Sequence, residues 1–304
     1  MTGTILLITM VFHIAALLIT RGAVSGPVSL RKPATFAETT WLVTWSVALI
    51  LPRISTRTWQ RHVIGASVLI FGIGETAIMA FQAWRGVPSH YNFSTPLDAA
   101  LMRLGAGGTA GIFVIGTIVL LVATLRSRDT ATSLRLAVVA GIVALLVGCA
   151  VGFVMISNNS GVYQGSIGGG FARQTAAYLG PDAATVGPQY LLLRPDTRGG
   201  DLVLPHIIGI HGLLLLTIPA LLLARTGMAA RRQLQLTALA AASVAIGMGL
   251  LLVHAFRQLP LDQLHAPALA TLAICAVTLL ATYFTTASAL LTHPSEAVSA
   301  PRRH

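Results

Sequence analysis

Charged residues are scarce in this chain. They make up 10% of its 304 residues, whereas a typical soluble domain contains roughly 25%. Hydrophobic residues account for 55%, and the mean hydropathy is +0.78. A large soluble domain needs more polar surface than this composition supplies, so none is expected. The composition therefore predicts an integral membrane protein made of one membrane domain.

Cysteine is nearly absent, and so are the common signatures of metal and nucleophile sites. Cys149 and Cys275 are the only cysteines, and both lie in apolar stretches without a cysteine or histidine at ligand spacing. A disulfide framework or a zinc site is therefore not expected, and we interpret both residues as small core side chains. The chain also lacks His-Glu-x-x-His, Gly-x-Ser-x-Gly and the clustered histidines of di-iron desaturases, which disfavours those enzyme classes.

Acidic residues are few as well, so the chain carries an excess of basic residues. Their positions bear on whether the partner is a nucleic acid or a lipid membrane. The 20 Lys+Arg and 9 Asp+Glu give a net charge of +11. Most of the basic residues lie between apolar stretches, where they orient helices and contact lipid headgroups. No basic helix or aromatic ladder is present, so a nucleic-acid partner is not expected. The predicted partner is the lipid bilayer.

Apolar stretches long enough to cross a bilayer are abundant. They predict an all-α membrane protein with about eight transmembrane helices in one bundle, covering residues 1–291. No basic region precedes the first stretch, so we interpret it as a retained helix and not as a signal peptide. A short basic tail, 292–304, follows the last one. The stretches are 3–20, 39–54, 63–84, 99–125, 135–157, 202–225, 234–256 and 266–291.

The arginines predict the orientation of these helices. Leaving out the longest connection, they are more numerous on the side of the N-terminus than on the opposite side. Because basic residues favour the cytoplasmic side, we expect both termini and the tail in the cytoplasm, with the protein in a bacterial inner membrane. The longest connection, 158–201, is rich in glycine and would then be an external loop.

A carboxylate lies in the middle of the third stretch. Glu75 is expensive at that depth, which favours a functional acid or proton carrier; the alternative is a structural carboxylate hydrogen-bonded to a neighbouring helix. Glu75, Gln82 and Arg85 follow one another at helical spacing and share one stripe. The loop after this stretch adds His90 and Asn92 directly above Glu75. We interpret Gln82, Arg85, His90 and Asn92 as substrate-binding residues.

Two further spans contribute polar residues at matching depth. His211 on the sixth stretch lies as far from the outer end of its helix as Glu75 does, so Glu75, His211 and His206 are predicted as the catalytic residues. His206 and His211 are five residues apart and therefore point about 140° away from each other. His254 and Arg257, at the outer end of the seventh stretch, are predicted to join the substrate-binding residues. The predicted cavity lies between the third, sixth and seventh helices and opens to the outside.

A haem is the one cofactor that the histidines suggest, and no firm metal ligand set is present. By depth, His206 with His254 would be the first pair of axial ligands, and His13 with His211 the second. Gly209 would give clearance to a porphyrin edge, or would instead serve close helix packing. His13 taken alone is better explained as a hydrogen-bonded core histidine.

Two acidic residues have structural explanations. Thr95-Pro-Leu-Asp98 has the form of a capping box with proline at the first helical position, so Asp98 is expected at a helix start. Asp201 precedes the sixth stretch and is expected to cap it.

Two polar blocks carry a resemblance to other proteins. One runs from Gly74-Glu-Thr76 to Arg85-Gly-x-x-Ser-His90-x-Asn92, and the other from Gly199-Gly-Asp-Leu202 to Pro205-His-x-x-Gly-x-His-Gly212. In these blocks the chain resembles uncharacterised bacterial polytopic membrane proteins. That group has no established activity, so the resemblance implies only a shared outer site.

These patterns favour a membrane-embedded enzyme, either an oxidoreductase or a lipid-modifying enzyme. It would use acid/base or haem-linked redox chemistry on an apolar or lipid-like substrate, or on another small molecule, that enters from the outer side. Two alternatives remain: a proton-coupled transporter that loads and releases Glu75, and a structural or assembly subunit of a membrane complex. The stretches below Glu75 and His211 are almost wholly apolar, which disfavours the transporter.

Overall fold

The chain folds as an all-α bundle. The computed structural model describes residues 1–22, 28–90, 92–157, 178–180 and 199–292, with Ala106 described by its backbone alone. Most of these residues are helical, because long apolar segments satisfy their backbone hydrogen bonds internally only as helices. The helices are α1 (Thr2–Ile19), α2 (Arg31–Ile50), α3 (Thr58–Trp84), α4 (Pro96–Met102), α5 (Ala110–Arg126), α6 (Thr132–Ser157), α7 (Val203–Leu223), α8 (Ala230–Phe256) and α9 (Ala266–Thr292).

The described residues contain eight helices, or continuous helical segments, that are long and apolar enough to cross a membrane. This confirms the predicted fold class. The fourth span is composite, because α4 continues through a π-helical segment, Arg103–Thr109, into α5. Two starts were wrong: the second span begins at Arg31 and not at residue 39, and the third begins at Thr58 and not at residue 63. The larger difference is in the second span. Its first two turns carry Lys32, Thr35 and Glu38, and these polar residues lowered the local hydropathy.

A closed ring of helices surrounds the interior. α2, α3, α5, α6 and α7 pack against one another in that order, and α7 packs back against α2. α1 lies outside the ring against α2, α8 packs on α6 and α7, and α9 packs on α8 and α7. Because α3 is next to α2 and α5, and α7 is next to α6 and α2, α3 and α7 lie across the ring from each other.

The two ends of the bundle differ. We call the end formed by the ends of α3 and α6 and the starts of α4 and α7 the loop face. The opposite end, the arginine face, carries exposed arginines at Arg53, Arg57, Arg61, Arg126, Arg128, Arg225, Arg231 and Arg232. An even number of spans brings Met1 and Thr292 to the same end, which is the arginine face.

Glycines determine how closely α6 and α7 approach. A Cβ atom added to Gly148 would lie 2.8 Å from the backbone nitrogen of Ile210, and one added to Gly209 would lie 2.6 Å from the Cα atom of Gly148. Small residues at such crossings let transmembrane helices pack by backbone contact. Gly209 therefore serves helix packing, the second of the two roles that the sequence left open.

A short antiparallel ladder lies beside α8 on the loop face. It pairs β1 (Tyr178–Leu179) with β2 (Gly200–Asp201). Asp201 Oδ1 accepts hydrogen bonds from the backbone N–H groups of Val203 and Leu204, so the expected cap at the start of α7 is present. Most of the predicted external loop, 158–201, and residues 293–304 of the predicted tail lie outside the described residues.

Candidate functional site

A cavity lies inside the five-helix ring, toward the loop face. Its volume is about 270 Å³, close to the lower limit of about 300 Å³ for small-molecule sites. Phe71 and Phe113 stack with their ring centroids 4.4 Å apart and line its deep end. Most of the other lining residues are apolar as well. The polar exceptions are Glu75, His90, His206, His211 and threonines of α2.

Glu75 is the buried acid of this cavity, with 2% of its surface exposed. Thr109 Oγ1 donates to Glu75 Oε2 at 2.7 Å and also lies 2.9 Å from the carbonyl oxygen of Gly105. A Cβ atom on Gly105 would stand 3.0 Å from Glu75 Oε2. Glycine at this position therefore gives the carboxylate its space, and Thr109 holds one of its oxygens.

The π-helical segment explains how Gly105 and Thr109 reach Glu75. The N–H of Ala110 reaches the carbonyl of Gly105, five residues earlier, as well as that of Gly107. Such a widened turn rotates the following residues relative to a regular α-helix, and it recurs at functional sites. A run of glycines is the one feature of the sequence that accompanies this widened turn.

His90 is the nearest titratable neighbour of Glu75. The loop after α3 folds back over the cavity and brings His90 Nε2 to 3.9 Å from Glu75 Oε1. The imidazole also packs beside Phe36 of α2, with ring centroids 5.5 Å apart. Burial holds the pKa of His90 well below its usual range, and the charges of Lys32 and His206 act in the same direction. His90 is therefore a neutral base at neutral pH.

His206 and His211 line the same cavity from α7. His206 Nδ1 donates to the carbonyl oxygen of Gly148 at 2.7 Å. Because Nδ1 donates, Nε2 is the acceptor nitrogen whenever this ring is neutral. All three residues predicted as catalytic, Glu75, His206 and His211, are thus brought to one cavity, although they come from opposite sides of the ring.

The titratable groups form a continuous series around the cavity. Lys32 interacts electrostatically with both Glu75 and His90. His90 interacts in turn with His206, and His206 with His211. The sequence predicted that Glu75 would couple to His211. The closest contacts of Glu75 in the described part of the chain are instead Thr109 and His90, so the coupling to His211 stays a prediction.

Gln82 and Arg85 were predicted to bind substrate, but they bind Asp98. Asp98 Oδ1 accepts from Gln82 Nε2 at 2.9 Å and from Arg85 Nη1 at 2.7 Å, and Asp98 Oδ2 accepts from Thr95 Oγ1 at 2.7 Å. The expected capping of α4 is present too, since the Asp98 N–H donates to Thr95 Oγ1. This cluster joins α3 to α4 and lies outside the cavity lining. Asp98 is the anion that binds Arg85, so Arg85 is already paired without a substrate.

Three other predicted substrate-binding residues also lie outside the lining of the cavity. Asn92 closes its own loop by donating to the Pro88 carbonyl and accepting from the N–H of Ser94. His254 Nε2 donates to the carbonyl of Pro260 at 2.8 Å and so fixes the turn after α8. Arg257 is exposed at the end of α8. Of the six residues predicted to bind substrate, His90 alone lines the cavity.

The contacts disfavour both predicted pairs of haem ligands. His254 does not share the cavity with His206. His13 uses both ring nitrogens, because Nδ1 donates to the Thr9 carbonyl and Nε2 accepts from the Trp84 indole. Gly209, expected to give clearance to a porphyrin, is filled by the backbone of α6. Within the described ranges, no three His, Cys, Asp or Glu side chains are arranged to hold a metal ion.

Several site residues were missed in the sequence. α2 lines the cavity with Thr35, Phe36, Thr39 and Thr40, and the hydroxyl of Thr40 lies 3.1 Å from that of Thr76, next to Glu75. Cys149 of α6, interpreted as a core residue, also faces the cavity. Thr35 and Phe36 precede the predicted second stretch, 39–54, whereas Thr39 and Thr40 belong to it. The signal available in the sequence was the recurrence of threonine at these positions.

Comparison with known proteins does not assign the site. No protein-family model matches the chain, and no curated protein and no solved structure is significantly similar to it. The two polar blocks singled out in the sequence nevertheless meet in space. The first supplies Glu75 and His90 to the cavity, and the second supplies His206 and His211.

His90 is expected to make the fold acid-sensitive. In the unfolded chain a histidine titrates near about pH 6.5, whereas the folded protein resists protonation of His90. Below that pH the unfolded chain binds more protons than the folded one, so stability falls as the pH falls. Replacing His90→Gln should flatten the decline in melting temperature between about pH 7 and pH 5. The exposed His62→Gln is the control, and equal pH slopes for all three proteins would contradict this role of His90.

Proposed function

We propose that the protein is a membrane-embedded enzyme that performs acid/base chemistry on an apolar or lipid-like substrate in this cavity. One observation carries the proposal: the buried carboxylate of Glu75 lies 3.9 Å from His90 Nε2 at the wall of an otherwise mainly apolar cavity. A buried carboxylate in a membrane span is costly and marks a functional site by default.

The chemistry follows from the two groups. His90 is neutral at neutral pH and is able to accept a proton. In the proposed step Glu75 carries the proton as a carboxylic acid, and a movement of about 1 Å brings His90 Nε2 within hydrogen-bond distance to accept it. The Nε2 atom of His206 offers a second acceptor on the opposite side of the five-helix ring. A substrate bound between Glu75 and His206 meets a proton donor on one side and an acceptor on the other. The apolar walls of the cavity exclude water.

The packing beneath the cavity supports an enzyme over a proton-coupled transporter. A carrier needs polar groups along the path to the other side of the membrane. Below the stacked Phe71 and Phe113, the described core is mainly an apolar cluster. It includes Val47, Ile64, Val68, Leu120, Leu145 and Leu213. The buried hydroxyls at that level donate to carbonyls of their own helices and so form no polar path; they belong to Ser46, Ser67, Thr117 and Thr124. An assembly subunit, the third alternative, would not require a buried acid beside a base.

Replacing Glu75→Gln tests the proposal. Protein in nanodiscs of a bacterial lipid extract is incubated, and the lipids are followed by mass spectrometry. The wild type should convert a lipid, and Glu75→Gln should lower the rate about 100-fold or more, the usual contribution of general acid/base catalysis. The control is Asp262→Asn, which removes an exposed carboxylate of the loop face that lies outside the cavity lining. No conversion by the wild type, or equal loss in both variants, would contradict the proposal.

We further propose that the protein lies in a bacterial inner membrane with the arginine face in the cytoplasm, so that the cavity opens toward the outside. The arginines of that face support this orientation. In a background with Cys149→Ala and Cys275→Ala, Gln263→Cys should react with an impermeant thiol reagent in intact cells, and Arg128→Cys should not. Both positions are exposed, whereas Ser89 and Ser127 at the same two ends are buried. The reverse labelling pattern would invert the orientation.

A further inference from the structure

Lys32 is the only lysine of the chain, and it lies where the cavity meets the loop face. α2 begins at Arg31, so Lys32 belongs to its first turn. Lys32 and Phe36 are four residues apart and share one face of the helix. Phe36 lines the cavity and packs against His90. Lys32 therefore lies on the cavity side of α2, one turn before Phe36, and is not itself a lining residue.

The charge of Lys32 has no direct acidic contact among the described residues. The ion pairs there join Arg85 to Asp98 and His90 to Glu75. Lys32 interacts with Glu75 only through space. Arg85, on the same face of the bundle, is neutralised by contact with Asp98 at 2.7 Å. A cation without a direct acidic contact in the described ranges thus lies beside the loop-face end of the cavity, next to its lining residues Thr35 and Phe36.

The rest of the cavity is shaped for an apolar chain. Its walls carry Phe153, Ile156, Ile207 and Ile210, and the Phe71 ring pair closes its deep end. The α2 residues from Lys32 to Thr40 cover about 12 Å at the rise of an α-helix. Glu75 and His90 lie between the charged end and the apolar end, because both interact with Lys32 and both line the cavity.

We infer that the ligand of this cavity is a single-chain amphiphile with an anionic headgroup, a phosphate or a carboxylate, that binds Lys32 while its chain fills the space above Phe71 and Phe113. This inference rests on the proposed function and names its substrate class. It sets the reacting atoms within a few carbons of the headgroup, since Glu75 and His90 flank that part of the chain.

The thiol of Cys149 reports whether the cavity is occupied. Cys149 lines the cavity, and Cys275→Ala removes the other cysteine. In nanodiscs, the rate at which a small membrane-permeant maleimide labels Cys149 is measured with decyl phosphate, decanol or inorganic phosphate. Decyl phosphate at about ten times its Kd should slow labelling roughly tenfold by occupying the site. Decanol should require a higher concentration, and inorganic phosphate should have no effect.

Variants assign the effect to Lys32. Lys32→Gln should weaken protection by decyl phosphate about 10-fold or more, the value of one charge-assisted hydrogen bond. It should leave protection by decanol unchanged, and Lys32→Arg should restore protection by the phosphate. Arg257→Gln, which removes an exposed cation of the same face away from the cavity, should behave as the wild type. The melting temperature of each variant, with and without decyl phosphate, gives a second readout that does not depend on thiol reactivity.

The outcomes separate this inference from the proposed enzyme. Glu75→Gln should keep full protection by decyl phosphate even though its lipid conversion is lost. Equal protection by decanol and decyl phosphate, or protection unaffected by Lys32→Gln, would overturn the anionic headgroup. Protection by inorganic phosphate alone would indicate an anion site without a chain. Absence of protection and of a melting shift with every probe would overturn the cavity as a binding site for such amphiphiles.

Discussion

Replacing Gly209→Ala is expected to push α6 and α7 apart. The added Cβ atom would lie 2.6 Å from the Cα atom of Gly148 and 2.7 Å from the carbonyl oxygen of Ala144. Both atoms are backbone, so neither moves without shifting the helix. Overpacking of this kind costs about 1–3 kcal/mol where side chains can adjust, and a backbone clash belongs at the upper end of that range or above it. Because His206 bonds the Gly148 carbonyl at the same crossing, the cavity wall should be disturbed as well.

The matched control is Gly249→Ala in α8. A Cβ atom on Gly249 would meet nothing within 4 Å, and alanine is favoured over glycine inside a helix by about 1 kcal/mol. Thermal unfolding in detergent should therefore show a lower melting temperature for Gly209→Ala and an unchanged or higher one for Gly249→Ala. A Gly209→Ala protein as stable as the wild type would contradict the close crossing of α6 and α7.

Replacing Asp98→Ala is expected to destabilise the protein by about 3 kcal/mol, because removing one partner of a buried ion pair costs roughly 3–5 kcal/mol. Asp98 is buried and is the shared acceptor for Gln82, Arg85 and Thr95. The lower end of the range applies because the Arg85 side chain is 30% exposed and regains contact with water. Gln82 is fully buried, so its side chain would not regain contact with water.

Chemical unfolding in mixed micelles measures this loss. Asp98→Asn keeps the shape and one acceptor oxygen, so it should lose less stability than Asp98→Ala. The double variant Arg85→Met with Asp98→Ala should lose less than the sum of the two single variants, because the pair acts as a unit. Additive losses would show that Asp98 and Arg85 do not depend on each other. The cluster would then again be available for the substrate-binding role that the sequence suggested.

Hydropathy and depth predicted much of the molecule. Long apolar runs revealed the spans, because a membrane demands them. The cost of a buried carboxylate singled out Glu75, and the helical rise predicted a depth for His211 that matches Glu75. Both residues line the cavity. Both arguments use only one helix at a time, so they need no knowledge of which helices are neighbours.

What the sequence did not reveal depends on neighbours. Depth alone does not tell which way a side chain points around its helix, so Gln82 and Arg85 were assigned to the site although Asp98 binds them. Averaged hydropathy hid the first turns of α2, because their threonines and Lys32 resemble a loop. The widened turn at Gly105 and the backbone contact between Gly148 and Gly209 arise only when the helices meet.

The central claim is that Glu75 and His90 act together as an acid/base pair, and a double-mutant cycle on lipid conversion tests it most directly. The rates of the wild type, Glu75→Gln, His90→Gln and the double variant are measured in the same nanodiscs. If the residues exchange one proton, the double variant should be no slower than the slower single variant, since residues that act as a unit are strongly non-additive. A double variant whose loss equals the product of the two single losses would contradict the pair.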